Sequence, residues 1–216
     1  MPHRLSSSTA SSSSSSSSMP RIFKIDRPLF KHRYDAHPSD GGASLYVHNR
    51  PITNNLPDLT LHGGPDAASP VVAVCHMLHF SQNFKIGLGD PSAADDAVRW
   101  EDMIKANVSG TRHCWAMDLP ALSSGGDMAR RMFVWKRTRK VAVEGMKTSG
   151  LSPRNWKLLE DVDGGGEGEG EVLAVFTSDI SGGKAGALQV NVDFGGEWES
   201  MVLITCLALY ERSRRR

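Results

Sequence analysis

The sequence predicts a mainly β protein: a closed antiparallel barrel of about twelve strands around a central hydrophobic C-terminal helix. Three observations lead there. From Met201 to Leu209 the chain is apolar except for Thr205, and at 100° per residue such a run leaves a helix no polar face, which means burial on all sides. Upstream, short segments of period two follow one another, each closed by Gly, Pro, Asn or Asp, as antiparallel strands joined by turns would be. Finally, a helix is about 10 Å across, too wide for a filled eight-stranded barrel but acceptable in a larger one, since barrel diameter grows with strand number. On a sandwich, or outside two stacked sheets, the helix would keep one flank wet and show polar residues every three or four positions.

Residues 1–20 read as a disordered Ser-rich head. They hold the run Ser11 to Ser18 and no acidic residue, and offer little that could offset their ordering entropy. A mitochondrial transit peptide shares that composition but needs an amphipathic apolar face, which is missing here. With no apolar h-region, secretion is not expected, and Asn107-Val108-Ser109 is then a chance sequon.

The barrel domain spans 21–216. Pro28–Tyr34 alternates Leu29, Lys31 and Arg33 against Phe30, His32 and Tyr34, a half-buried strand. Ser44–Arg50 and Asp58–His62 are shorter versions. Val71–Phe80 is apolar on both parities, as a strand covered on both sides would be. Asn83–Gly89 puts Phe84, Ile86 and Leu88 on one face. Arg99–Ala106 follows, then Arg112–Leu119 with His113, Trp115, Met117 and Leu119 on one side, then Met132–Thr138, with which Lys140–Met146 is expected to pair. Trp156–Val162 and Glu171–Thr177 flank a Gly-rich link that reads as a hairpin tip. Gly186–Phe194 points Leu188, Val190, Val192 and Phe194 inward, and Gly195-Gly196 releases the terminal element.

That element competes with a strand, because Val202, Ile204 and Thr205 are β-branched. Charge order decides for a helix over 197–212: Glu197 and Glu199 precede it, and Arg212, Arg214, Arg215 and Arg216 follow, which complements a helix dipole. As a membrane anchor it fails on length, since about ten residues make roughly 15 Å, half of a ~30 Å hydrocarbon core. Trp100, Trp115, Trp135, Trp156 and Trp198 are assigned to core or rim packing.

Charge is nearly balanced, 25 basic against 24 acidic residues, so no global field draws the chain to nucleic acid or a membrane, and any attraction must be local. Cys75, Cys114 and Cys206 are odd in number and lack CxxC spacing, which argues for three reduced thiols in an intracellular, cytoplasmic protein rather than a disulfide framework or zinc site.

The segments FVWKRT (Phe133–Thr138), NWKLLE (Asn155–Glu160), EVLAVFTS (Glu171–Ser178), GALQV (Gly186–Val190) and the ending MVLITCLALYERSRRR together resemble the tubby C-terminal-like superfamily, specifically its small fungal branch. The likeness covers about Arg21 to Arg216. It implies a twelve-stranded barrel around a central C-terminal helix, shared with LURP-one-related proteins and phospholipid scramblases. Activity differs by branch: tubby domains bind phosphoinositides through basic side chains, and scramblases are credited with calcium-dependent lipid movement. This chain lacks the scramblases' Cys-rich palmitoylation segment and shows no clear copy of the tubby phosphoinositide motif, so no binding residue is carried over.

The densest charge is Arg130, Arg131, Lys136, Arg137, Arg139 and Lys140, with no acid among them. At about 1 kcal/mol each, and with strand alternation turning half away, such a patch gives ~3 kcal/mol toward anionic phospholipid headgroups: peripheral, salt-sensitive binding. The plainer alternative is a solvated strand end whose charges meet the acids of Glu160 to Glu171. Two functions are therefore in play, a phosphoinositide or anionic-lipid module and a protein-interaction or structural barrel.

An enzyme is not expected, and no cofactor, catalytic residue or metal site is assigned. Ser181–Ala185 imitates a phosphate loop, but Ser178 replaces its first Gly and Ala185 stands where Ser or Thr should hold magnesium. Asp161-Val162-Asp163-Gly164 opens like a calcium loop, yet Gly165 and Val172 remove two ligands. Cys75 and His79 share a strand face while His76 takes the other, and no third ligand can be named. No GxSxG, HExxH or paired-carboxylate pattern appears.

Overall fold

The structure, a computed structural model, describes residues 19–50, 56–78, 80–93, 98–120, 127–147, 152, 154–161, 170–179 and 181–215. The Ser-rich run, His79, most of the Gly-rich link with the remainder of the calcium-loop imitation, and Arg216 lie outside the described residues. Twelve strands form a closed barrel in up-and-down order: β1 (Arg21–Asp26), β2 (Arg33–Pro38), β3 (Leu45–Asn49), β4 (Leu59–His62), β5 (Val71–Met77), β6 (Phe84–Leu88), β7 (Arg99–Lys105), β8 (Arg112–Pro120), β9 (Met128–Arg137), β10 (Trp156–Glu160), β11 (Val172–Ser178) and β12 (Lys184–Val190). Each pairs antiparallel with its sequence neighbours, and β12 closes on β1 from Arg21–Val190 to Ile25–Gly186, so no edge is left unpaired. At that closure Gly186 has φ 147°, and a Cβ there would sit 2.2 Å from the Thr177 carbonyl oxygen, which reserves the position for glycine.

Helix α1 (Gly196–Arg214) threads the barrel, buried at Trp198 and at every residue from Met201 to Glu211. The inward residues of the strands join it in one core, among them Phe23, Tyr34, Phe84, Trp115, Phe133, Trp135 and Phe176. Thr205, the hydroxyl inside the apolar run, is satisfied on both sides: its Oγ1 donates back to Met201 O at 2.7 Å and accepts from Trp135 Nε1 at 3.0 Å.

Four expectations are corrected. The segment Pro28–Tyr34 is not a strand: Lys31 N–H bonds back to Pro28 O, and Phe30 is fully exposed at φ 62°. Its apparent alternation came from a turn, and the real strand starts at Arg33 with Tyr34 inward. Ahead of it, β1 carries Phe23 and Ile25 inward. Next, β9 starts at Met128, four residues early, and takes Arg130 and Arg131 into the sheet. Lys140–Met146 forms no ladder, because both flanks of its expected partner β9 are already paired, with β8 and with β10. It straps the outer wall, with Val143 buried against Val175 and Ala187 and with Val143 and Glu144 N–H donating to Thr177 Oγ1 and Gln189 Oε1. Finally, β12 stops at Val190, and Val192 and Phe194 reach the core from an irregular segment.

Four of the five tryptophans are core residues. Trp100 lies on the outer wall over Gly87, beside His76 and under the Lys85 ammonium at 5.0 Å. Cys75 and Cys206 are buried and Cys114 half-buried, all reduced, and burial pushes each thiol above its ordinary value.

Leu203 is fully buried, so Leu203→Asp places an unpaired charge in the core at a cost of several kcal/mol, against a net stability of about 5 to 15. Circular dichroism of the variant is expected to show an unfolded chain at 25 °C, and a melt like that of the wild type would contradict enclosure of the helix.

Candidate functional site at the rim where the helix ends

Strand direction divides the six basic residues. Odd-numbered strands start at the mouth where α1 enters, so Arg130 and Arg131 lie there, whereas Lys136 and Arg137 reach the opposite mouth, roughly 23 Å further along β9. Arg139 and Lys140 follow at the start of the strap, both exposed. At the entry mouth Arg130 clamps Glu101 with two nitrogens and stands 3.6 Å from Asp118. That clamp bridges the seam between β7 and β8, whose ladder covers only Ile104–Cys114 and Lys105–His113. Arg131 holds both oxygens of Glu160 at 2.6 Å and stacks 4.5 Å from the Phe194 ring centroid. These two residues are structural ion pairs.

The far mouth gathers cations the linear patch does not contain. Lys136 pairs directly with Arg112 on β8 and with Lys157 on β10, so three like charges stand in one outward row across adjacent strands. Such a row is unfavourable for the sheet itself. Burial, then Arg112 and Lys157, hold the Lys136 ammonium below its ordinary value, while Asp161 acts in the opposite sense. Arg137, on the inward parity, lies 5.2 Å from the Trp156 ring centroid, and Arg154 lies 5.8 Å from that of Tyr210. Between the ends of β8, β9 and β10 sits a cavity of about 270 Å³ lined by Thr111, Arg137, Thr138, Arg139, Ser152 and Asn155. Arg112, Lys157 and Asn155 escaped the sequence reading because cross-strand register joined them to β9, and no sequence spacing encodes that register.

The terminal arginines close the mouth instead of joining the row. Arg212 donates to Leu78 O and Ser81 O. Arg215 reaches Asp58 at 2.9 Å, Asn49 and Arg50 O. Arg214 and Arg215 both grip Glu211, which also accepts from Tyr34 Oη. Burial pushes the Glu211 carboxyl up, but the hydrogen bonds from Arg214, Tyr34 and Arg215 outweigh it and hold the group at about 2. The same burial and the Glu211 charge raise the Tyr34 phenol.

A larger cavity of about 610 Å³ opens at the entry mouth, lined by Ile22, Val190, Val192 and Trp198. Its guanidinium is compensated, because Arg21 bridges Glu199 at 2.6 Å and Asp40 at 2.9 Å. Among the described residues no three His, Cys, Asp or Glu side chains could hold a metal ion, and no helix is long and apolar enough to cross a membrane. No family model, curated protein or solved structure gives a significant match to the chain.

Glu211→Ala leaves Arg214 and part of Arg215 unpaired at the buried end of the helix and is expected to cost about 3–5 kcal/mol, measured by urea unfolding. Because the folded value of Glu211 lies below the unfolded 4.5, its contribution is present above that value and lost as pH falls toward 2. Tyr34 is shifted upward, so its contribution is present below pH 10 and lost above it. Acid titration of wild type should therefore show a larger stability loss between about pH 4.5 and 2 than the Glu211→Ala variant, which keeps only the share of Asp40, Asp66, Asp90 and Asp179, carboxyls also held below their ordinary value.

Proposed function

We propose that the protein is a non-enzymatic, intracellular peripheral binder of anionic phospholipid surfaces, docking through the rim where α1 ends. The observation that carries this is the outward row Arg112–Lys136–Lys157, three cations side by side across adjacent strands, an alignment that an anionic surface outside the sheet would stabilise. Arg139 and Lys140 extend the same side. At about 1 kcal/mol per basic residue near an anionic surface, and with half of that lost to side chains that turn away, the rim supplies ~2–3 kcal/mol. That is weak, reversible attachment. Arg130 and Arg131 add nothing, since Glu101 and Glu160 already neutralise them.

Membership of the tubby C-terminal-like superfamily belongs to the same proposal. It is supported by the sequence motifs and by a twelve-stranded barrel around an apolar helix, and within that superfamily the docking reading is closest to the lipid-binding branches.

Co-sedimentation with phosphatidylserine vesicles tests the proposal, with phosphatidylcholine vesicles as the reference. Wild type should pellet at low ionic strength and be released near 0.5 M salt, since screening is strong at roughly such concentrations. Lys136→Glu/Lys157→Glu should abolish pelleting, and Arg130→Ala should keep it. Absence of pelleting at low salt would sink the docking function and leave the protein-interaction barrel in its place.

A further inference from the structure

Exposed apolar side chains are ordinary when scattered singly, but in this molecule they gather at one end. Each loop that follows an odd-numbered strand lies at the mouth where α1 ends, and four such loops in succession carry them: Leu29 and Phe30 after β1, Leu56 after β3, Leu78 and Phe80 after β5, and Val108 after β7. Phe30, Phe80 and Val108 are fully exposed or nearly so. Among the described residues, the loops that join strands at the entry mouth carry none.

The tips stand on firm mounts. Lys31 N–H closes a turn on Pro28 O at 3.3 Å, and Phe30, third in that turn, has φ 62°, a conformation that glycine takes without strain and a bulky residue does not. It is the one non-glycine residue with positive φ among those described. A side chain lying wholly in water returns nothing for that strain. Arg212 donates to Leu78 O and Ser81 O on either side of Phe80, and Leu78 N–H donates to Asn83 O at 3.1 Å. Beside Val108, Asn107 Oδ1 accepts from Thr111 N–H and Arg112 N–H. Backbone groups engaged in this way can leave bulk water at lower cost.

Two strand spacings, roughly 10 Å, separate successive loops, so the tips are separate fingers rather than one contiguous patch. A protein partner would need a fitted pocket for each finger, whereas a fluid interface closes around all of them. Exposed Lys31, Arg139 and Lys140 and the Arg112–Lys136–Lys157 row border the same end. Apolar fingers beside positive charge complement a layer that is anionic at its surface and apolar beneath.

We propose that these tips insert into the boundary between headgroups and acyl chains of an anionic bilayer, with Phe30 and Phe80 as the aromatic anchors. The proposal rests on the docking function above, which brings this rim to the surface, and adds burial of apolar side chains to attraction by charge.

The test measures partitioning of the full chain onto phosphatidylserine vesicles at low salt. Phe30→Gly/Phe80→Ala is expected to bind about tenfold or more weakly than wild type at unchanged net charge, and to melt no lower, because glycine takes φ 62° without strain. Phe30→Trp is expected to bind like wild type and, on vesicles with brominated acyl chains, to show fluorescence quenching beyond that of wild type. Unchanged affinity of the phenylalanine double variant, or no added quenching in Phe30→Trp, overturns insertion. Binding lost in Lys136→Glu/Lys157→Glu and unchanged in the phenylalanine variant keeps the docking function and removes insertion; binding kept in the lysine variant and lost in the phenylalanine variant does the reverse. No vesicle binding by wild type removes both. A wild-type dimer in sedimentation velocity that the phenylalanine variant dissolves assigns the tips to a second copy of the chain and overturns insertion.

Discussion

Burial of α1 on every side is the constraint the remaining structure answers to. Met201, Val202, Leu203, Ile204, Leu207 and Leu209 are all at or below 2% exposure. At roughly 1.5–3 kcal/mol per fully buried apolar side chain they contribute on the order of 10 kcal/mol, comparable to the whole net stability of a domain. A barrel of this girth without its helix would be a void lined by Phe84, Trp135 and Phe176, and protein interiors do not sustain such voids. Wall and helix therefore form together, and the same occupation takes the space where a wide barrel would hold a substrate.

Each helix end must leave the apolar interior through polar chemistry, and the two ends do this differently. Where α1 enters, acids dominate: Glu197 meets Arg99, Glu199 meets Arg21, and Asp193 accepts the Gly195 N–H. Where it leaves, cations dominate, because Glu211 and Asp58 draw in Arg214 and Arg215, while Arg212 binds wall carbonyls. Both arrangements complement the helix dipole. A nearly neutral chain thus becomes a molecule with an acidic mouth and a basic one. The Arg112–Lys136–Lys157 row sits at the basic mouth, on the outer wall and with Asp161 acting against its mutual repulsion, and that outward placement sets it apart from the arginines that fasten the helix.

The outer wall shows which departures from a plain meander need their own explanation. Val175 and Ala187 are apolar and outward, and the strap from Thr138 to Met146 covers them. The close approach of Trp100 to Gly87 covers Val74 in a similar way. At the β7–β8 seam the ladder is short, and the Arg130–Glu101 pair supplies across it what backbone hydrogen bonds do not. In all three places side-chain chemistry does work that strand pairing could not, since neighbouring backbone groups were already engaged.

The sequence by itself determined the enclosed helix and most of the strands, because both follow from local periodicity: an apolar run with no polar face has one stable place, and Phe84, Ile86 and Leu88 or Trp115, Met117 and Leu119 share a face by alternation alone. Local patterning failed where a turn imitated it, at Pro28–Tyr34, and where an apolar alternation served a strap, at Lys140–Met146. Only the tertiary structure decided the candidate site. A run of six cations reads as one patch in one dimension, but a strand carries its two ends to opposite mouths, gives Arg130 and Arg131 to Glu101 and Glu160, and aligns Lys136 with residues 24 positions before it and 21 after it. The buried amide of Asn155, whose Nδ2 finds no hydrogen-bond partner among the described residues, was equally out of reach. Whether a polar group is left without a partner depends on every neighbour that folding brings to it, and no stretch of sequence lists those neighbours.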